Sequence, residues 1–145
     1  MRRLLLIAFS IGLALPIIGC TSKRQMSTLT KPVIETLVSA TESWNGDSYS
    51  YPDGQAQMTL LRITAPVGFR TPVHSHPQPG VAYVVKGTLD CVVTATNTKV
   101  FSVGDSFATT FSETPHYCES IGTESAVVFV AYAGVEGQPV TVPIK

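Results

Sequence analysis

The sequence is poor in charge, and this shortage excludes one broad class of partner. Only 14% of its 145 residues are Asp, Glu, Lys or Arg, and ten basic residues are balanced by ten acidic ones. No stripe or cluster of Lys and Arg is present, whereas proteins that bind nucleic acid need such a surface to contact the phosphates. We therefore expect no nucleic-acid partner.

After residue 40 the sequence also lacks helical periodicity, and it has no internal repeats or low-complexity tracts. Short apolar or β-branched runs alternate instead with segments that contain Gly and Pro, a pattern typical of all-β barrels and sandwiches. The runs that we predict as strands are residues 58–65, 81–85, 89–95, 99–103, 107–111 and 125–133. The last run is so continuously apolar that it predicts a strand buried on both faces. Residues 33–40 fit either a helical turn or a first strand.

Only one long hydrophobic run occurs, at residues 4–18. It is short for a membrane span, which needs about 20 apolar residues. Arg2 and Arg3 precede it, and it stops just before Cys20, as expected of a signal peptide. The residues before Cys20 resemble the lipobox of bacterial lipoproteins, in which the cysteine is lipidated and becomes the first mature residue. An ordinary signal peptide or an uncleaved anchor is the alternative.

The lipobox resemblance implies three segments. They are a signal peptide over residues 1–19, the lipidated Cys20 with a flexible tether over residues 20–32, and a single domain over residues 33–145. The membrane is then a partner through the lipid anchor. Because Thr21 rather than Asp follows Cys20, the sorting rules of Gram-negative bacteria imply the outer membrane, with the domain facing the periplasm.

Histidine is scarce as well, and two of the three histidines form His74-Ser75-His76. Residues i and i+2 of a strand point to the same face, and two neutral imidazoles on one face can bind a single first-row metal ion. His116 is the other imidazole available from a neighbouring strand. The alternative is an accidental His-x-His, with each histidine at the surface or satisfied in the core.

The surroundings of these histidines resemble the two sequence motifs of the cupin family over about residues 55–133. The matching positions are Gly68, His74, His76 and Gly87 for the first motif, and Gly104, Asp105, Pro115 and His116 for the second. The resemblance implies an all-β cupin barrel, a double-stranded β-helix or jelly roll, with the three histidines as metal ligands. The flanking segments 43–46 and 132–137 are similar to a group of short bacterial cupin-2 proteins.

The first motif departs from the family pattern because its glutamate is missing. Gly80 stands at the position where the family has that carboxylate. Three neutral imidazoles leave the charge of a divalent ion uncompensated and leave coordination positions open. Thiol-oxidising cupins also have a three-histidine site, so the implied cofactor remains one divalent ion, which can be Fe, Mn, Zn, Ni or Cu.

Two polar residues near the motifs could substitute for the missing carboxylate. Gln78 shares strand parity with His76, although prolines flank it, and Glu113 has the parity opposite to that of His116.

Tyr83 and Tyr117 are the nearest aromatic hydroxyls to the histidines in the sequence. Aromatic residues in strands are more often packing residues, so we assign no catalytic residue.

Cys118 is a further candidate ligand. It lies two residues after His116, at the offset where pirin-like cupins carry a carboxylate ligand, and a cysteine there can bind metal as a thiolate. It can equally be a small buried side chain, or form a disulfide with Cys91 in an oxidising compartment.

The resemblance leaves more than one function open. One is an iron-dependent, dioxygenase-like oxidoreductase that acts on a small molecule at the metal. Another is a non-catalytic module that binds a small ligand or a metal, since cupins host both behaviours. A third is a metal-free scaffold that acts as a homodimer, because cupins often pair through edge strands.

Overall fold

The structure is a computed structural model and describes residues 30–145, of which residues 35–145 form one unit. Nine strands make up its regular structure, and no helix occurs among the described residues. The strands are β1 Ala56–Ala65, β2 His74–His76, β3 Gly80–Lys86, β4 Thr88–Thr94, β5 Asn97–Ser102, β6 Ser106–Ala108, β7 Ser112–Ile121, β8 Ala126–Val135 and β9 Val142–Pro143. The all-β prediction is confirmed. Within residues 30–145 no helix is long and apolar enough to cross a membrane.

The strands form two antiparallel sheets, with the orders β1-β8-β3-β6 and β5-β4-β7-β2-β9. Their inward faces build the core, and β3 shows the expected alternation because Ala82 and Val84 are buried while Val81 and Tyr83 point outward. Inward residues of both sheets, such as Val84 and Leu89, belong to one hydrophobic cluster. This arrangement is the jelly-roll barrel of the cupin fold, as predicted.

Gly87 makes the sharp connection between β3 and β4. Its φ is +69°, and a Cβ there would lie 2.7 Å from the backbone Cα of Ala126. A side chain would therefore be strained and would collide with β8. The glycine that ends the first motif is thus required by the close approach of two backbones.

Three details of the predicted strands were wrong. β8 is not buried on both faces throughout, since Phe129 is 37% exposed and burial alternates from there on. Residues 33–40 form neither a helical turn nor a strand. The run predicted as a strand over residues 107–111 is a strand only as far as Ala108, where β6 ends.

A bulge lets β7 continue through Pro115. His74 lies opposite His116, but His76 lies opposite Ser112, so the register between β2 and β7 shifts. Pro115 has no N–H to donate to a strand ladder, and Ser112 adopts a φ of 64°. Ser112 and Pro115 thus lie at the irregular part of β7, where the register shifts. Beyond it, β7 pairs regularly with β4.

Cys91 and Cys118 form a disulfide between β4 and β7. The two residues lie opposite each other in the register of these strands. Cys91 is fully buried, whereas Cys118 is half-buried. The bond therefore joins, from inside the barrel, the strand that carries His116 to its neighbour.

Reduction of this disulfide should lower the free energy of unfolding by about 3 to 4 kcal/mol, because a bond across a separation of 27 residues restricts the unfolded chain. Urea denaturation with and without reductant measures the change. The double variant Cys91→Ala/Cys118→Ala is the control and should not respond to reductant. Alkylation of either thiol in untreated, urea-unfolded protein would contradict the bond.

Candidate metal centre

The three histidines predicted as ligands lie together on two neighbouring strands. His74 and His76 are on β2, and His116 is directly opposite His74 on β7. One ring nitrogen of each can be chosen so that all three atoms lie within 4.8 Å of one another. His76 and His116 are buried, at 6% and 4% exposure, and His74 is half-buried. Among the described residues, this is the group of side chains with the composition and spacing of a metal site.

Hydrogen bonds to backbone carbonyls orient two of the imidazoles. Nδ1 of His74 lies 2.7 Å from the carbonyl oxygen of Pro72, and Nδ1 of His76 lies 2.7 Å from that of Val140. A carbonyl oxygen can only accept, so both Nδ1 atoms donate and both Nε2 atoms keep their lone pairs. Histidines that bind metals are commonly held in this way by their second nitrogen.

Two threonines contact the ring of His116: Thr110, which precedes β7, and Thr114, which lies on it. The hydroxyl oxygen of Thr110 lies 2.8 Å from Nε2 and 2.9 Å from Nδ1, and the carbonyl oxygen of Thr114 lies 3.3 Å from Nδ1. Thr110 is itself only 1% exposed. The ring thus has polar partners within the chain before any ligand enters.

Burial keeps two of the imidazoles neutral. Removal from water lowers the pKa of His76 from its ordinary 6.5 to about 4, with a smaller lowering from His74. Removal from water and then the neighbouring His74 and His76 lower the pKa of His116 to about 3. A metal ligand must be deprotonated, so these rings are ready to bind an ion at neutral pH.

These features fit a divalent first-row ion. Imidazole suits several such ions, one nitrogen of each ring lies close to the others, and the Nδ1 atoms of His74 and His76 are already engaged by carbonyl oxygens. No Asp or Glu belongs to the group among the described residues, which leaves the charge of an ion uncompensated.

The histidines line a cavity of about 300 Å³ between the two sheets. Most of its lining is apolar, with side chains such as Leu61, Leu89, Val128 and Val130. Ile63 and Phe69, at 39% and 48% exposure, mark its mouth. Among the described residues that line it, none is Asp, Glu, Lys or Arg. The volume is at the lower end for small-molecule sites.

The structure does not bring the predicted substitute ligands into the group. Cys118 lines the cavity, but its sulfur is bonded to Cys91 and is not a free thiolate. Gln78 is buried and donates its amide N–H to the carbonyl oxygen of Gln138 at 2.9 Å. Glu113 is exposed, consistent with its parity. In this structure Cys118 is engaged by the disulfide and Gln78 by Gln138, in place of the ligand roles predicted for them.

A tyrosine that the sequence did not single out lies beside the histidines. The Tyr132 hydroxyl is 3.3 Å from Nε2 and 3.4 Å from Nδ1 of His76, and burial raises its pKa well above the ordinary value. Tyr83 points outward at 36% exposure, and Tyr117 packs under the guanidinium of Arg70. Alternation along β8 would have placed Tyr132 inward, but the continuous apolar run concealed that alternation.

The fold and the three histidines define a class, a jelly-roll barrel with a candidate metal site at an internal cavity. Residues 61–132 match the model of the family described as Cupin domain. The chain belongs to the cupin superfamily. A search of curated protein sequences finds no match.

Solved structures with this fold include three of diverse description. Oxalate decarboxylase from Bacillus subtilis, described with Mn(II) centres, has a TM-score of 0.52 and 23% identity, over 60% of this chain and 24% of that one. The polyketide cyclase RemF from Streptomyces resistomycificus has a TM-score of 0.50 and 17% identity, over 63% and 64%. A cupin 2 domain-containing protein from Halorhodospira halophila has a TM-score of 0.50 and 14% identity, over 61% of this chain and 58% of that one. The matches span 24% to 64% of those chains and show the fold alone.

We predict that the metal-free protein loses stability as pH falls from 7 to 5. Unfolded histidine has a pKa of about 6.5, whereas the pKa of folded His76 is about 4, so the unfolded state takes up more protons in this window. The loss should be about 2 kcal/mol for His76 and a similar amount for His116. Urea denaturation in the presence of a chelator measures it.

The variant His76→Gln keeps an amide that can donate to Val140 but does not titrate. It should show a smaller loss over the same pH window. An identical pH dependence in the variant and the unchanged protein would assign the acid sensitivity to other groups.

Proposed function

We propose that this cupin binds one divalent metal ion through His74, His76 and His116 and uses it to bind, and in the catalytic case oxidise, a small and mostly apolar molecule. The observation that supports this is the position of the three imidazoles on the wall of an apolar cavity of about 300 Å³. An ion held there would supply Lewis acidity and open coordination positions for a substrate atom. Dioxygenase-like oxidation is the reaction class that we favour.

The charge balance of the site favours a particular kind of ligand. The histidine group contains no carboxylate, and the described cavity lining contains no acidic or basic side chain. An uncompensated charge in an apolar cavity is strongly unfavourable. An anionic donor atom on the ligand itself, such as an enol, phenol or thiol that ionises, would offset the ion's charge. The remainder of the ligand must be apolar, since it faces Leu61, Val128 and similar side chains.

The chain's own residues would perform three tasks in such a site. The imidazoles hold the ion, with His74 and His76 fixed by the carbonyls of Pro72 and Val140. The apolar walls exclude water and orient the ligand. The partly exposed Ile63 and Phe69 admit it at the mouth.

A non-catalytic binding module is the second candidate. The observation in its favour is that the described cavity lining offers no carboxylate and no histidine outside the metal group. General bases are most often such groups. A site without one is suited to hold a ligand or an ion without transforming it.

We further propose that the domain is exported and held at the bacterial membrane by a lipid on Cys20, facing the periplasm. The support is the sequence of the leader and the polar tether that follows it. Cys20 lies outside the described residues. A disulfide between Cys91 and Cys118 agrees with an oxidising compartment, where such bonds persist.

Protein purified without a histidine tag should carry a divalent ion, and His74→Ala should lose most of it. Removing a ligand leaves two imidazoles, which hold an ion far more weakly. Elemental analysis of both proteins measures the content and identifies the metal. Glu113→Gln is the matched control, because this exposed carboxylate is close in sequence to His116 but outside the group. Equal metal in the unchanged protein and His74→Ala would refute the site.

Oxygen consumption by the iron-loaded protein then separates the two candidate functions. A panel of thiols, flavonols and diketones supplies ionisable donor atoms on molecules of suitable size. Consumption that requires one class of substrate, and that His74→Ala abolishes, supports the oxidoreductase. Binding of these compounds without oxygen consumption supports the binding module.

Mass spectrometry of the membrane fraction should find Cys20 as an acylated N-terminal residue, since several acyl chains anchor a protein stably. Cys20→Ser should remove the acyl groups and prevent maturation at that position. A mature chain that is free of lipid and starts at another residue would contradict the anchor.

A further inference from the structure

The missing carboxylate of the metal site has a steric explanation. Gly80 begins β3 and lies directly opposite Tyr132 on β8. A Cβ at Gly80 would lie 2.8 Å and 2.9 Å from two ring carbons of Tyr132, and 2.9 Å from the hydroxyl oxygen of Thr109. The φ of Gly80 is not in the left-handed region, so its backbone would accept a side chain. The Tyr132 ring therefore occupies the space that a side chain at position 80 would need.

The same ring brings a hydroxyl to the metal site. Tyr132 is only 3% exposed, and its hydroxyl oxygen lies 3.3 Å from Nε2 of His76. Because Nδ1 of His76 donates to Val140, Nε2 is the nitrogen with a free lone pair, and the phenol O–H donates toward it. An ion bound to Nε2 would take that lone pair and leave the O–H without its acceptor. A buried hydroxyl without an acceptor is unfavourable, so it must find a new one close to the ion.

We propose that Tyr132 is a positioning residue whose O–H donates a hydrogen bond to the anionic donor atom that a ligand places on the metal. This inference rests on the proposed metal site and adds a specificity element to it. Tyr132 takes the place in space of the absent glutamate, but it acts on the ligand and not on the ion. Ligands whose donor atom can accept a hydrogen bond while bound to the metal would be selected.

Azide is a suitable probe, because it is a small anion that binds to open positions of copper and gives a visible charge-transfer band. The copper-loaded full-length protein is titrated with azide, and the same is done for Tyr132→Phe and for Tyr83→Phe. The Phe ring at position 132 keeps the packing against Gly80 but removes the donor. The exposed Tyr83 loses the same hydroxyl away from the site and is the matched control.

Tyr132→Phe should bind azide roughly tenfold more weakly, as expected for loss of a hydrogen bond to a charged acceptor, with unchanged copper content and unfolding temperature. Tyr83→Phe should bind azide as the unchanged protein does. Equal azide affinity in all three proteins would overturn the role of Tyr132 alone. A phenolate-to-copper band without azide that Tyr132→Phe removes would also overturn it, because Tyr132 would then be a ligand. Absence of copper binding in the unchanged protein would overturn the metal site itself.

A second set of variants tests whether positions 80 and 132 share one space. Gly80→Glu alone should be markedly less stable, since its side chain meets the Tyr132 ring. Tyr132→Ala/Gly80→Glu should recover stability relative to Gly80→Glu and bind copper at least about tenfold more tightly than Tyr132→Ala, because a carboxylate can then join the three imidazoles. A Gly80→Glu protein as stable as the unchanged one would refute the shared space.

Discussion

The antiparallel pairing of β2 with β7 is the constraint on which the candidate site depends. It sets His74 opposite His116 and, through the register shift that follows, leaves His76 opposite Ser112. Two histidines that are two residues apart on one strand, and a third across the ladder, are thereby brought to one wall of the cavity. The disulfide between β4 and β7 ties down the other side of the strand that carries His116.

The apolar lining of the cavity also determines the protonation of two of its imidazoles. The apolar lining that would receive a ligand also removes His76 and His116 from water, and this keeps them neutral and able to bind an ion. The same lining provides no counter-charge. A metal ion held there would therefore depend on its ligand for electrical balance, in contrast to an ion in a site that includes its own carboxylate.

The all-β class and the His74/His76 pair could be predicted from the sequence because alternation, turn residues and the His-x-His spacing are local signals. The jelly-roll arrangement with His116 as the third member was implied by the resemblance to the cupin motifs. The position of Tyr132 beside the histidines could not be predicted, because it depends on which residue of β8 lies opposite Gly80. The register between two strands that are distant in the sequence cannot be inferred from either strand alone. A disulfide with Cys91 was one of three alternatives that the sequence left open for Cys118, and the register between β4 and β7 selects it. The prolines on either side of Gln78 indicated a break between strands, and Gln78 indeed lies between β2 and β3, where its amide donates to Gln138.

The shortness of β2 links the metal to folding. Its three residues lie between β7 and β9, both of which come later in the chain, so the complete ligand set exists only after those distant segments have assembled. The unfolded chain offers just the His-x-His pair. An ion that binds the folded form alone would act by mass action, adding about 2.7 kcal/mol when its concentration is about a hundred times its dissociation constant. The metal supply of the surrounding compartment would then affect the stability of the fold as well as the occupancy of the site.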